Sequence, residues 1–270
     1  MMKSSVHRIL GFAFLLTTSV GAAARADMQM DFSDPVVLGN TQAPGVWYKD
    51  RYVPAGFVSQ QSFLGDDRLL QTISASDAQA NAFYNTQGRK FDLEPGTFAA
   101  SIDLYIDAQW QDDGSDALRF AGFWGTGVDA ADDVSAYPII EISRYTRGEL
   151  GVYVWDTING GFTLAKALTA ADLGGFHTLG FGLVGGDFVY TYDGDVIGGG
   201  GGNGTVALSN IILQGHNTTT GVNRGIYWDN LSSTNSTAAV PEPASLISAA
   251  FALGAAGLFA ARRARSRRAA

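Results

Sequence analysis

Residues 27–231 alternate apolar and polar positions in short runs that are separated by Gly, Asp and Asn. The clearest run is 97–107, which predicts a strand. Side chains of residues i and i+2 on a strand point to the same face. This run therefore has one buried face and one solvent-exposed face, as in an antiparallel sandwich. The buried parity is formed by Phe98, Ala100, Ile102, Leu104 and Ile106.

The remaining runs predict an all-β body of about eleven to thirteen strands, a β-sandwich or jelly roll. Residues 176–197 predict a meander that turns at Asp193-Gly194, where both positions tolerate positive φ. Loops are predicted at 88–96 and at the five glycines 198–202, and 46–58 is predicted to be loop with at most one short edge strand. Residues 164–173 predict either a short helix or a surface crossing. Further strands are predicted at 28–32, 68–73, 118–124, 138–145, 150–155, 206–213 and 225–231.

The C-terminal pattern is different, because residues 244–261 are apolar and carry no charge. At about 1.5 Å per residue, this run is roughly 27 Å long as a helix, close to the ~30 Å hydrocarbon core of a membrane. It predicts a transmembrane helix rather than a buried core helix, since it has no polar face. The arginines that follow are expected to stay in the cytoplasm, which places the body outside. They are Arg262, Arg263, Arg265, Arg267 and Arg268.

The order of Val240-Pro241-Glu242-Pro243, a spanning helix and a terminal arginine cluster resembles the PEP-CTERM sorting signal of exported bacterial proteins. The resemblance covers 240–268. It implies recognition by an exosortase, a membrane transpeptidase that cleaves near Pro-Glu-Pro and releases or reattaches the outer domain. The expected location is transiently the inner membrane, then the cell surface or the extracellular space. A permanent anchor is the alternative.

The N-terminus agrees with export. Lys3 and Arg8 precede an apolar stretch at 9–20, and Ala24 and Ala26 supply the small residues of a signal-peptidase site. The predicted organisation is therefore a signal peptide (1–26), a β-sandwich domain (27–231), a Ser/Thr/Asn-rich stalk (232–239) and the sorting segment (240–268).

Charge narrows the choice of partners. The whole chain has a net charge of −8, and residues 27–239 hold ten basic and twenty-five acidic residues, a net −15. Such a body repels nucleic acid and anionic lipid, and it favours divalent cations and neutral polymers. The absence of cysteine excludes thiolate metal sites, thiol nucleophiles and disulfides.

The meander with its Tyr192-Asp193-Gly194 hairpin, together with 226–231, resembles the concanavalin A-like (laminin G-like) jelly roll. That resemblance implies a lectin, a glycan hydrolase or a spacer, and a fold does not choose among them. Laminarinase-like members carry Glu-x-Asp-x-x-Glu. Glu141 is the best strand glutamate here, but Ser143 stands at the aspartate position and Thr146 at the second glutamate position. The hydrolase pair is incomplete, so a protein without enzymatic activity is expected.

Two kinds of binding site remain. Acidic loops offer the oxygen ligands that calcium prefers, either at Asp112, Asp113 and Asp116 or at Asp129, Asp132 and Asp133. Aromatic rings able to stack on sugars are Trp124, Tyr145 and Trp155. The main hypothesis is a cell-surface or matrix protein that binds extracellular polysaccharide or has a structural role. A secreted glycan hydrolase and a non-binding spacer are the alternatives.

We expect replacement of Pro241-Glu242-Pro243 by alanines to leave the full-length protein in the inner membrane, because the processing enzyme loses its recognition sequence. Cell fractionation and immunoblotting in a host with an exosortase measure the outcome. Processing of this variant at the wild-type rate would contradict the sorting assignment.

Overall fold

The computed structural model describes residues 26–74, 86–112, 119–145, 148–216 and 223–235. Within these ranges two eight-stranded sheets enclose one hydrophobic core, and every pair of named strands is antiparallel. Among the described residues, no helix combines the length and the apolarity that a membrane crossing requires. Residues 1–25 of the predicted signal peptide, residues 236–239 of the predicted stalk and the predicted helix at 244–261 lie outside the described residues. Residues 232–234, predicted as the start of the stalk, instead form the end of the strand Arg224–Thr234, because their backbone pairs with neighbouring strands of the sheet.

Sheet 1 consists of β1 (Ala26–Met30), β3 (Gly56–Phe63), β4 (Asp66–Ile73), β6 (Ala99–Ile106), β12 (Gly175–Val184), β13 (Asp187–Tyr192), β14 (Asp195–Gly201) and β16 (Arg224–Thr234). Its order is β14-β13-β12-β6-β16-β4-β3, and β1 also pairs with β16.

Sheet 2 consists of β2 (Tyr48–Lys49), β5 (Thr86–Asp92), β7 (Arg119–Val128), β8 (Val134–Ala136), β9 (Ile139–Ser143), β10 (Gly151–Asp156), β11 (Gly161–Ala167) and β15 (Ala207–His216). Its order is β11-β10-β9-β7-β15-β5-β2, and β8 pairs with β7. Two short helices complete the described chain, α1 (Gln109–Asp112) and a 3₁₀ turn (Ala170–Asp172). The prediction of an all-β antiparallel sandwich is confirmed.

The core lies between the sheets and follows the predicted alternation. Ile102 and Leu104 of β6 are fully buried and pack with Phe123, Ile140 and Leu213 of sheet 2. Each large apolar side chain buried in this way contributes roughly 1.5–3 kcal/mol relative to an exposed one. The hairpin prediction also holds, since Asp193 and Gly194 both have positive φ, 52° and 84°.

Several predicted loops are strands. Residues 88–92 of the predicted loop 88–96 belong to β5. A polar side chain of this strand is buried and hydrogen-bonded: Gln87 accepts from the Ser74 backbone N–H at 3.0 Å and donates to the Ser74 carbonyl oxygen at 2.7 Å. Residues 46–58 contain β2 and the start of β3. Residues 164–173, predicted as a helix or a crossing, form the end of β11 and then the 3₁₀ turn. In all three segments the strands are held by backbone hydrogen bonds to other strands, and side-chain composition does not reveal this pairing.

The five glycines 198–202, predicted as a loop, form most of edge strand β14. This edge lies close to the β10–β11 hairpin of the other sheet. A Cβ on Gly201 would meet Ile158 Cδ1 at 2.0 Å, and one on Gly200 would meet the Trp155 carbonyl oxygen at 3.3 Å. The glycines therefore permit a close approach between the sheets at this edge.

A buried glutamine joins the two sheets. Gln71 of β4 is fully buried, and its Nε2 donates to the carbonyl oxygens of Gln87 and Leu213 in sheet 2, at 3.1 and 3.3 Å. Its Oε1 accepts from the indole N–H of Trp228 at 2.9 Å. All of these groups would otherwise be buried polar atoms without partners, which is costly.

Replacing Gln71 with Leu keeps the volume but removes both the donor and the acceptor. We expect the free energy of unfolding to fall by about 1–3 kcal/mol, because the Trp228 indole N–H loses its partner. Gln61→Leu, at a partly exposed position of β3, is the matched control and is expected to change it by no more than about 0.5 kcal/mol. Urea unfolding measures both variants, and an unchanged midpoint for Gln71→Leu would show that the bridge does not contribute.

Candidate functional site

The outer face of sheet 2, on the side away from the core, is unusually apolar. Lys90, Ile212, Trp124 and Ile139 stand directly opposite one another on β5, β15, β7 and β9. On the next strand pair, Trp155 of β10 stands opposite Phe162 of β11. Trp124, Ile139 and Ile212 form a second apolar cluster, separate from the main core, with Trp155 and Phe162 packed against it.

This face contains a cavity of about 270 Å³. Its lining has two parts, which differ in chemistry. The aromatic wall is formed by Tyr137, Trp155 and Phe162, and the cationic rim by Arg51, Lys90 and Arg119; Trp124, Ile139 and Ile212 complete the lining. Tyr137 is 44% exposed, and Trp155 and Phe162 are partly exposed, so their rings are available to a ligand.

Trp124 has a different role from the one predicted for it. It is only 4% exposed, and the Arg51 guanidinium lies 5.0 Å from its ring centroid. A cation over an indole face is an attractive contact. That face is therefore occupied, whereas Trp155 and Phe162, whose rings meet edge to face at 5.0 Å, are partly exposed.

Glu141 lies on the same face of β9 and is fully buried. Its Oε1 accepts hydrogen bonds from the hydroxyls of Ser143 (2.6 Å) and Tyr145 (2.9 Å), and Arg119 Nε is 3.7 Å away. Its Oε2 is buried and has no hydrogen-bond partner among the described residues. Burial raises the pKa of the Glu141 carboxyl, and Arg119 and the two hydroxyls offset only part of that effect.

Tyr145 connects this carboxyl to the cationic rim. Its hydroxyl oxygen accepts from Arg119 Nε at 3.0 Å while the hydroxyl donates to Glu141. Its ring stacks on Phe162 with centroids 5.0 Å apart. Burial, followed by the negative charge of Glu141, raises the pKa of Tyr145, so the hydroxyl stays protonated and acts as a donor.

A fully buried amide lies beside Glu141. Gln214 of β15 stands opposite Gly122 of β7, which in turn stands opposite Glu141. A Cβ on Gly122 would come within 2.1 Å of Gln214 Nε2, so glycine is required there for Gln214 to lie across the strand. Neither amide atom of Gln214 has a hydrogen-bond partner among the described residues. Buried polar atoms of this kind are the places where water or ligand groups bind.

The structure thus brings Trp124, Tyr145 and Trp155 to one face of sheet 2, with Tyr145 behind the cavity lining rather than in it. Sequence reasoning missed Tyr137, Phe162 and the cationic rim. One signal was present: consecutive apolar pairs such as Ile139-Ile140 indicate a strand that is buried on both faces. The rim left no such signal, because its three residues come from separate segments of the chain.

The predicted calcium loops do not form a metal site in the described part of the chain. Asp113 and Asp116 lie outside the described residues. Asp129 Oδ1 instead accepts backbone N–H bonds from Ala131 and Asp133, at 2.8 and 3.1 Å, and so closes its own turn. Within the described ranges, no group of three or more Asp, Glu, His or Cys side chains converges to hold a metal ion.

Comparison with known proteins confirms the predicted tail. Residues 239–266 match the family model described as the PEP-CTERM protein-sorting motif. This signal indicates export through the membrane to the cell surface, and it is the recognition signal of exosortases. Among curated protein sequences, none is similar enough to this chain to count as a match.

Solved structures confirm the concanavalin A-like sandwich. One is a non-specific endo-β-1,3(4)-glucanase of family GH16, at 11% identity and a TM-score of 0.50, with 80% of this chain and 96% of that chain covered. Another is the GlcNAcα1-4Gal-releasing endo-β-galactosidase of Clostridium perfringens, at 10% identity and a TM-score of 0.50, with 78% of this chain and 63% of that chain covered.

These structures also correct one prediction. The incomplete Glu-x-Asp-x-x-Glu motif led us to expect a protein without enzymatic activity, whereas both of these structures are glycan hydrolases. At 10–11% identity the likeness shows the fold and not the activity. The expectation of a protein without enzymatic activity is therefore withdrawn.

The buried Glu141 predicts a pH dependence of stability. Because its folded pKa is raised, the folded state holds a proton that the unfolded chain releases near pH ~4.3, and stability is lost as pH rises from there towards the folded pKa. The Glu141→Gln variant has no carboxyl at this position to titrate, so it does not lose this stability as pH rises. We therefore expect the unfolding free energy of the variant, minus that of wild type, to increase from pH 4 to pH 8 in urea titrations.

Glu149→Gln, at an exposed glutamate, is the control and is expected to give a much smaller pH-dependent difference. A Glu141→Gln difference that does not change with pH would mean that the carboxyl is not destabilised by burial. Buried Asp229, whose pKa burial also raises, is present in both proteins and cancels in the comparison.

Proposed function

We propose that this is an exported glycan-binding protein of the cell surface or extracellular matrix, which holds saccharide units in the cavity on the outer face of sheet 2. The observation that carries the proposal is the partly exposed aromatic wall, with Trp155 and Phe162 meeting at 5.0 Å at the edge of a 270 Å³ cavity. Small-molecule sites are concave, mostly apolar and fitted with a few polar groups, as this one is.

The cavity, about 270 Å³, is slightly smaller than the usual range of about 300–1,000 Å³. A site of this size suits one sugar unit of a longer polymer. Sugar faces are apolar and stack on rings, while their hydroxyls need hydrogen-bond partners. Lys90 and Arg119 beside the aromatic wall offer those donors.

The tail supports the rest of the proposal. An exosortase is the partner expected for the PEP-CTERM segment at 239–266. It cleaves near Pro241-Glu242-Pro243 and frees the body from the inner membrane. The aromatic cavity would then face a matrix polysaccharide.

Glycan hydrolysis is the second candidate, and one observation favours it. Glu141 is a carboxyl with a raised pKa, as a general acid requires, and it lies on the face that carries the cavity. Its hydrogen-bonded and charged neighbours among the described residues are Arg119, Ser143 and Tyr145. A proton donor is therefore present, and the second catalytic group would have to come from Tyr145 or from outside this set.

We expect Trp155→Ala and Phe162→Ala each to weaken polysaccharide binding at least tenfold, about 1.4 kcal/mol, because each removes a stacking surface. Glycan-array and affinity measurements on the full-length protein in mild detergent, with parallel assay of reducing-sugar release, give the result. Tyr227→Ala, a partly exposed aromatic on sheet 1, is the matched control and is expected to bind like wild type.

Equal losses in all three variants would show that the cavity is not the binding site. Release of reducing sugar by wild type that Glu141→Gln abolishes would establish the hydrolase candidate. Failure to bind any glycan would overturn the main proposal.

A further inference from the structure

The charge of the cavity is opposite to that of the body. Residues 27–239 contain ten basic and twenty-five acidic residues, yet the side chains that line the cavity include three cations and no carboxylate. The cationic rim therefore gathers three of the body's ten basic residues at a single site, Arg51 from the β2–β3 connection, Lys90 from β5 and Arg119 from β7.

Two acidic side chains contact the cationic rim and balance only part of its positive charge. Asp50 bridges Arg51 and Lys90, at 3.1 and 3.4 Å, and its side chain is almost completely buried. Glu141 lies 3.7 Å from Arg119, and burial raises its pKa and so favours its neutral form. Three cations against two acids, one of them driven towards neutrality, leave the cavity positive.

Arg119 also has an unused donor. Its Nε is engaged with Tyr145, and its guanidinium lies 5.3 Å from the Phe162 ring centroid. Its Nη1 is buried and has no hydrogen-bond partner among the described residues. A buried guanidinium nitrogen without an acceptor is costly, so the protein's own groups satisfy Arg119 only in part.

We propose that the polysaccharide recognised here is anionic: a sugar ring lies against the aromatic wall, and its carboxylate or sulfate group is bound by the cationic rim. This inference rests on the proposed glycan-binding function and specifies its ligand class. It reverses the expectation of a neutral polymer, which was drawn from net charge alone.

The acidic body does not prevent this contact. At physiological ionic strength the Debye length is about 8 Å, so charges elsewhere on the sandwich are largely screened from a bound group. The rim acts at contact distance inside a partly dry cavity, where screening is weaker. A neutral sugar would leave the net positive charge of the rim unbalanced, whereas an anionic one would neutralise it.

The test compares charged polymers with their neutral counterparts at about 0.15 M ionic strength, a concentration that screens the distant charges. Polygalacturonate is paired with its carboxyl-reduced form, and dextran sulfate with dextran, each titrated against the full-length protein in mild detergent. We expect at least one charged polymer to bind ten or more times as tightly as its neutral partner. The two pairs distinguish carboxylate from sulfate recognition.

Lys90→Gln and Arg51→Gln are each expected to weaken binding of the charged polymer about tenfold and to weaken binding of the neutral polymer much less, because glutamine keeps a hydrogen-bond donor for sugar hydroxyls but removes the charge. Lys49→Gln is the matched control, since it removes the same charge from the adjoining strand at an exposed position outside the cavity. Thermal unfolding checks that each variant is folded. If Arg51→Gln disturbs Trp124, Lys90→Gln still decides the outcome.

Equal affinity for charged and neutral polymers, with both lost in Trp155→Ala, would overturn the anionic assignment and leave glycan binding intact. The same loss in Lys49→Gln as in Lys90→Gln would show a general charge effect and would also overturn it. Binding of none of the four polymers, together with no binding on the glycan array, would overturn the proposed function itself.

Discussion

The central strands of sheet 2 are buried on both sides, and this double burial determines where a ligand can bind. All five residues of β9 are buried, and in β7 only Arg119 is partly exposed. Phe123 and Ile140 face the main core, while Trp124 and Ile139 belong to a second apolar cluster on the outer face. An antiparallel sandwich commonly leaves such a face to water. Here aromatic and cationic side chains cover it and create a largely dry site on the outside of the fold.

Because this outer face is largely buried, interactions among its few polar groups are strong. Burial penalises the charge of Glu141, and two hydroxyls and one guanidinium hold that carboxyl in place. The same Arg119 contacts the Phe162 ring, so the acid, the aromatic wall and the cationic rim form one connected arrangement.

The tail and the body carry separate information. The sorting segment is a linear pattern of Pro-Glu-Pro, apolar residues and arginines, and it indicates export of the protein to the cell surface. The sandwich fold by itself determines only which surfaces are available, and at 10–11% identity its likeness to the GH16 glucanase and the endo-β-galactosidase shows the fold and not the activity. Function in this body therefore depends on which side chains the outer face of sheet 2 presents.

The sequence by itself determined the sorting segment, the all-β class and the alternating strands such as β6, because each depends on residues that are close together in the chain. It did not determine β5 or the glycine strand β14, since both are held by backbone pairing to distant strands. It named Trp124, Tyr145 and Trp155 but could not show that Arg51 covers the Trp124 ring. Only the tertiary structure brought Arg51, Lys90 and Arg119 beside the aromatic wall, because register across six strands sets which side chains meet, and net charge contains no information about position.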